Sequence, residues 1–309
     1  MNRHSNKFWI VPALSILYLL LTWVTIGLRN DHYMLIVLVN ALYFSHESSR
    51  RFLYGFSIFI AYWILYDYMK LLPNFQFRPV SIRGIYELEK SIFGVHENGS
   101  VVTLNEYFHV HRSQFLDVLC PVFYLCWIPV PVAFAWYLYG RDKDTFIRYS
   151  FLFFFTNLIG WLIYYSVPAA PPWYVREYGF VFHPDVHGNA AGLLRFDDYF
   201  QINLFRDLYT KASNVFAAMP SLHAAYPVFG LYYSFRIRKP SIIIFFIVIT
   251  TGIWFSAIYL DHHYLLDVIA GICVSILGIF IFEKFMLRNE RIRKWFNSYQ
   301  KVLQPPVKA

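Results

Sequence analysis

The sequence predicts an all-α polytopic membrane protein, a bundle of about eight transmembrane helices. Composition is the first observation that predicts it. Hydrophobic residues make up 58% of the chain and charged residues 15%, too apolar for an ordinary soluble domain. The 21% aromatic share suits a protein with many interfacial Tyr and Trp side chains. Patterning is the second. The apolar residues gather in runs long enough to cross a bilayer, and short basic stretches separate them. This distribution sets aside nucleic acid as the partner that the formal charge of +8 would otherwise suggest.

In order, the candidate spans lie near 8–28, 34–45, 52–68, 115–139, 147–167, 217–235, 241–260 and 264–284. The second is short and the third marginal, so the count falls between about six and eight. Met1 to Lys7 is basic, and no small-residue cleavage site follows the first run, so that run reads as an uncleaved span. The whole chain, 1–309, reads as a single integral membrane domain, with N-terminal spans over 8–68 and a core bundle at about 115–284. Two long loops, about 69–114 and 168–216, are rich in aromatic and apolar residues and are expected to pack as caps. A basic tail, 285–309, closes the chain.

Orientation follows from the short basic segments: Arg50-Arg51, Arg141 to Arg148, and Arg236 to Lys239. Alternating spans then put both termini in the cytoplasm and the two long loops on the opposite face. The three cysteines, Cys120, Cys126 and Cys273, sit inside apolar runs and give neither a disulfide framework nor metal-ligand spacing. His109 and His111 alone do not make a metal site. Asn98-Gly99-Ser100 matches a glycosylation sequon, a short string common by chance. Asp67 and Asp117, at span ends, read as solvated interface residues.

The chemistry gathers near the C-terminus. His263 and Asp267 are four apart, one turn of a helix on one face. The carboxylate can hold one ring nitrogen as a donor and leave the other free to attack an electrophile. His262 has Leu266 in the corresponding position, so His263 is the better nucleophile. The plain alternative is an interfacial polar cluster, but an Asp one turn into an apolar span tells against it. Met219-Pro220-Ser221-Leu222-His223 opens another span. A helix start there offers free N–H groups to a phosphate, a hydroxyl from Ser221 and a general acid in His223; a capping serine beside an interfacial histidine is the plain reading. Two spans lie between the motifs, so both return to one face.

Ser-x-His followed about forty residues later by His-x-x-x-Asp resembles the second and third motifs of the type-2 phosphatidic acid phosphatase superfamily. That third motif normally begins Ser-Arg; here Ser256 is followed by Ala257. The first motif is missing too, because Lys70 and Arg78-Pro79 stand one residue too far apart. Over most of its length the sequence resembles one branch, the inositol phosphorylceramide synthases of fungal type and their bacterial relatives. The matching strings are Tyr66-Asp67 with Leu72-Pro73-Asn74, Ala170-Pro171-Pro172-Trp173-Tyr174, Gly192 to Asp197, Met219 to His223 and His262 to Asp267.

The resemblance implies His223, His263 and Asp267 as the catalytic triad. Imidazoles and basic residues can balance the phosphate charge, so no metal and no cofactor is expected. It also implies a membrane lipid phosphotransferase that moves phosphoinositol from phosphatidylinositol to ceramide or a similar lipid alcohol. The active site would face the periplasm in a bacterium or the Golgi lumen in a fungus. Ser221, Arg195, Trp173 and Tyr264 are the candidates for binding substrate. Arg195 reads equally as a phosphate clamp or as the partner of Asp197 or Asp198. Trp173 reads as an interfacial residue at a span end or as part of a headgroup pocket. Two other readings compete: a lipid phosphate phosphatase using the same triad, and a non-catalytic transporter with a His/Asp proton relay. The paired, broken spans of transporter repeats are not seen in the sequence. Nothing in the sequence points to a regulatory subunit.

Overall fold

The computed structural model describes residues 9–210 and 214–304. The basic N-terminal segment, Lys211 and Lys308 lie outside the described residues. The fold is an all-α helix bundle, as the apolar runs require. The chain forms two compact units: residues up to Leu72 together with those from Glu290 onward, and Pro73–Asn289.

The first unit holds α1 (Ile10–Thr25), α2 (Asn30–Ser45) and α3 (Glu47–Tyr68). Its interior is cross-linked by polar groups: Asn40 donates to Ser15 at 2.8 Å, and the Thr22 and Tyr68 hydroxyls meet at 2.9 Å. Asp67 corrects its expected role as a solvated interface residue. It is 4% exposed and takes Arg29, Lys70 and His32, each at 2.9 Å. A carboxylate at a span end is driven into such a network because burying it unpaired is costly.

The second unit starts with α4 (Arg83–Phe93) and a hairpin, β1 (Val95–Glu97) and β2 (Ser100–Val102). Asn98 and Gly99 turn the hairpin at φ 48° and 80°, the backbone a two-residue turn of this kind demands. The sequon string therefore has a structural use. Then come α5 (Leu104–Val110), α6 (Gln114–Leu125), α7 (Pro129–Arg141), α8 (Lys143–Ser166), α9 (Pro172–Tyr178), α10 (Leu194–Phe200) and α11 (Leu204–Tyr209). The last three are α12 (Leu222–Ile237), α13 (Pro240–Tyr259) and α14 (Leu265–Ile281). Beyond them, α15 (Glu290–Leu303) belongs to the first unit.

Among the described residues, four helices are long and apolar enough to cross a membrane: Glu47–Leu71, Lys143–Ser166, Pro240–Tyr259 and Leu265–Met286. The span expected at 115–139 is broken into α6 and α7, which bend by 45° and together make a fifth. Pro129 explains the break, since a proline disfavours helix in the residue before it and starts the next helix well. α1, α2 and α12 have 16 residues each. At 1.5 Å per residue they reach about 24 Å, short of the roughly 30 Å hydrocarbon core. The marginal third run proves to be a full-length helix, whereas the 217–235 run yields a shorter one.

Packing in the second unit centres on α12, which lies against α8, α13 and α14. The two long loops are folded onto this bundle. Ser81, Ala169 and Ala217 line up in parallel bridges, and Asn74 donates to the carbonyls of Tyr164 and Phe216 at 2.9 and 2.8 Å. Trp173, Tyr174, Ile82 and Phe216 form a buried cluster under the loops.

Candidate active site

The site forms where the start of α12 meets the loop between α13 and α14. Ser221 donates its backbone N–H to the Asp267 carbonyl at 2.8 Å, which ties the two motifs together. This approach depends on Gly271: a β-carbon there would fall 2.1 Å from the Ser221 carbonyl oxygen. The loop folds back on α13, and the Ala257 carbonyl accepts from the N–H groups of His262 and His263 at 3.1 and 3.0 Å. The two side chains of the loop then face different ways.

His263 Nε2 lies 3.2 Å from His223 Nδ1. Its other nitrogen, Nδ1, lies 2.9 Å from the Ala218 carbonyl. A carbonyl only accepts, so in the neutral ring Nδ1 carries the proton and Nε2 presents its lone pair. Asp267 Oδ2 lies 3.7 Å from the same Nδ1, close enough to act by charge and too far for a hydrogen bond. Sequence spacing assigned the orienting bond to Asp267; the structure gives it to Ala218. The carboxylate oxygen accepts from the Tyr264 N–H at 2.8 Å instead, within the first turn of α14. Asp267 and His263 are buried, and His223 is half-buried and backed by the Tyr124 hydroxyl at 3.3 Å and the Trp127 ring.

His262 is spent elsewhere. Its Nε2 donates to the Ala190 carbonyl at 3.1 Å, and its ring lies between Tyr124 and Tyr209. Burial and the neighbouring His263 pull its pKa down to about 3. These contacts favour His263 over His262, as the sequence spacing does.

The four other candidates separate. Ser221 is fully buried, and its hydroxyl accepts from Ala224 N–H as the cap of α12. Tyr264 is buried, and its backbone works in the turn that Asp267 caps. Trp173 is buried rather than interfacial, and its backbone N–H donates to the Asp261 carbonyl at 3.1 Å. Arg195 pairs with neither Asp197 nor Asp198. It donates to Asp117 at 2.7 Å and lies over the Tyr259 ring. Asp117, which also takes the Tyr259 hydroxyl at 2.9 Å, is thereby a network residue and not a solvated one. Asp197 caps α11 by accepting from Phe205 and Arg206 N–H. His109 and His111 part: His111 bonds Glu97 at 3.0 Å, while burial and the charges of Arg176, Arg195 and Arg112 hold the His109 pKa low.

Three residues escaped the sequence reading. Arg176 forms an ion pair with Asp261, two residues from His263. Burial lowers its pKa, and the nearby Arg195 charge lowers it further. Ala257, where the superfamily motif carries arginine, is fully buried and leaves an arginine no room; of the arginines of the second loop, Arg176 pairs with Asp261 and Arg195 with Asp117. Asn105 donates to the carbonyls of Ile258 and His263 at 2.9 and 3.0 Å. Glu89, also fully buried, accepts from Leu265 and Leu266 N–H at 3.1 and 3.0 Å and so caps α14 from another helix. No local sequence signal marks these last two, because their partners lie more than 150 residues away.

The chain is similar to known proteins. The PAP2 superfamily model matches residues 84–281, which include both motifs. The chain is 42% identical over 296 residues to the phosphoinositol dihydroceramide synthase of Bacteroides thetaiotaomicron, covering 95% of this chain and 97% of that one. It is 29% identical over 234 residues to the inositol phosphorylceramide synthase catalytic subunit of Saccharomyces cerevisiae, covering 72% of this chain and 53% of the yeast protein. With the inositol phosphorylceramide synthase of Candida albicans the identity is 26% over 249 residues, 77% of this chain and 49% of that one. No solved structure matches the chain significantly. A family model that spans most of the chain and a relative aligned nearly end to end agree, and the chain belongs to the PAP2 superfamily.

Proposed function

We propose that the protein is a membrane lipid phosphotransferase that moves phosphoinositol from phosphatidylinositol to a ceramide-type lipid alcohol. The observation that carries the chemistry is the His223–His263 pair, 3.2 Å apart, with the His263 lone pair turned toward His223. The relatives' names carry the substrates: phosphoinositol dihydroceramide and inositol phosphorylceramide.

In the first half-reaction, His263 Nε2 displaces the His223 hydrogen bond and attacks the donor phosphorus. The P–N bond forms as the bond to the diacylglycerol oxygen breaks, and His223 gives that oxygen a proton. Asp267 faces the imidazolium that develops on His263. Arg176 balances the phosphate charge. In the second half-reaction, His223 takes the proton of the acceptor's primary hydroxyl. That oxygen attacks phosphorus, and the P–N bond breaks. Each proton passes through one group, as a double displacement needs. Hydrolysis by the same residues would need only water as acceptor, but no relative named above is a phosphatase. The short basic segments support a site on the non-cytoplasmic face.

The test uses purified protein with phosphatidylinositol and a fluorescent ceramide, beside His263→Ala. The expected result is an inositol-bearing fluorescent product with diacylglycerol, absent from the variant. Phosphate release from phosphatidic acid, with no such product, would replace the reading with the phosphatase.

A further inference from the structure

The second long loop forms an open cavity of about 650 Å³ lined by His183, Asp185, His187, Arg206, Tyr178 and Ala190, among others, and Ala190 ties it to the loop of His262 and His263. We infer that this cavity holds the polyhydroxylated ring of the donor headgroup, an inference that rests on the transferase reading and assigns its specificity.

Position argues first. Ala190 is both a wall of the cavity and the acceptor for His262 Nε2. Two residues on, Gly192 donates to the Leu260 carbonyl at 3.0 Å, and a β-carbon on it would fall 2.8 Å from Leu260 Cα. The cavity wall is thus fastened to the loop that carries His263, the atom source for the P–N bond. A ring held there would sit against the same loop that carries His263.

Chemistry argues second. The volume lies in the range of about 300–1,000 Å³ usual for small-ligand sites. His183, Asp185 and His187 are exposed, and among the described residues none of the three side chains is held in a hydrogen bond or ion pair. Arg206 approaches Asp198 no closer than 3.9 Å. The wall therefore offers a carboxylate acceptor, imidazoles of both roles and guanidinium donors. Hydroxyls donate and accept at once, and such a mixed wall suits several of them. The His-x-Asp-x-His spacing suggests a metal instead. However, among the described residues no three His, Cys, Asp or Glu side chains converge to hold one. Groups spread around a wall fit hydroxyls spread around a ring. Tyr178, with the His183 ring 5.4 Å away, supplies a flat face for the ring's C–H surface. A site built on hydroxyl contacts rejects headgroups that lack them by large factors, which would bar phosphatidylethanolamine and phosphatidylcholine.

The test measures transfer by the full-length protein, wild type beside Asp185→Asn and His187→Gln. Each exposed change should raise the KM for phosphatidylinositol at least tenfold and leave the ceramide KM and the rate at saturating donor within twofold. Inositol 1-phosphate should compete with the donor in wild type and lose at least tenfold in potency in the variants. Glycerol 3-phosphate should compete far more weakly. Unchanged donor KM values, or equal inhibition by the two phosphates, would overturn the assignment while leaving the transferase reading intact. A wild type that makes no inositol-bearing product would instead remove the reading beneath it.

Discussion

At the residue scale, the decisive feature is which group fixes the His263 tautomer. Ala218 does so through its carbonyl, and Asp267 acts from 3.7 Å by charge. Asp267→Asn should therefore keep the fold, because the amide oxygen can still accept from Tyr264 N–H. It should lower kcat by about 100-fold, the scale of a lost electrostatic contact, and leave both KM values near wild type. Steady-state kinetics in detergent would check this, and a kcat within twofold would remove Asp267 from the chemistry. Arg176 is tested differently because its loss strands the Asp261 carboxylate. Removing both charges, Arg176→Gln with Asp261→Asn, should restore the melting temperature lost in Arg176→Gln alone but not the activity. Recovery of both together would make the pair structural. The histidines and Asp267 were legible in the sequence because their spacing is local. The Ala218 carbonyl was not, since a backbone atom leaves no mark on residue type.

At the element scale, three devices set α12 and α14 in place, and each has its own signature. Gly271 permits close approach to Ser221. Gly271→Ala must move backbone rather than a flexible side chain, at a cost of roughly 1–3 kcal/mol; differential scanning fluorimetry should show the drop, and transfer should fall with it. Ser221 is a cap, so Ser221→Ala should lose about 1 kcal/mol while keeping kcat; a large kcat loss with an unchanged melting temperature would return Ser221 to the substrate. Glu89 caps α14 from outside. Burial is the main cause of its raised pKa, Asp267 adds to it, and the two N–H bonds only partly offset it. Such a group contributes stability that is complete below the ordinary glutamate value of about 4.3 and is lost as pH rises through the higher folded value. Glu89→Gln should flatten the fall in melting temperature above pH 4, which a pH series of melts would read. The helices themselves were legible as apolar runs. The break at Pro129 was also written in the chain, yet run length alone passed over it.

At the scale of the whole molecule, the histidine pair and the basic turn after α12 lie at opposite ends of α12 and α13. α12 starts at the Ser221 cap and ends at Ile237; α13 starts at Pro240 and returns to the loop of His262 and His263. The turn between them holds Arg236, Arg238 and Lys239, a basic stretch of the kind that stays in the cytoplasm. The hairpin at Asn98 belongs to the same unit, on a long loop whose neighbour Asn105 grips the His263 carbonyl. Sidedness thus reduces to one comparison within that unit. Single cysteines placed by Asn98→Cys and Lys239→Cys, with the three native cysteines replaced, should react differently with a membrane-impermeant maleimide on intact cells. Asn98→Cys should label directly, and Lys239→Cys only after permeabilisation. The reverse pattern would turn the active site to the cytoplasm. Labelling of both on intact cells would mean that α12 and α13 do not carry the chain across and back. A transferase with its site outside must draw donor and acceptor from the outer half of the bilayer, so this labelling also decides which lipid pool the enzyme can use.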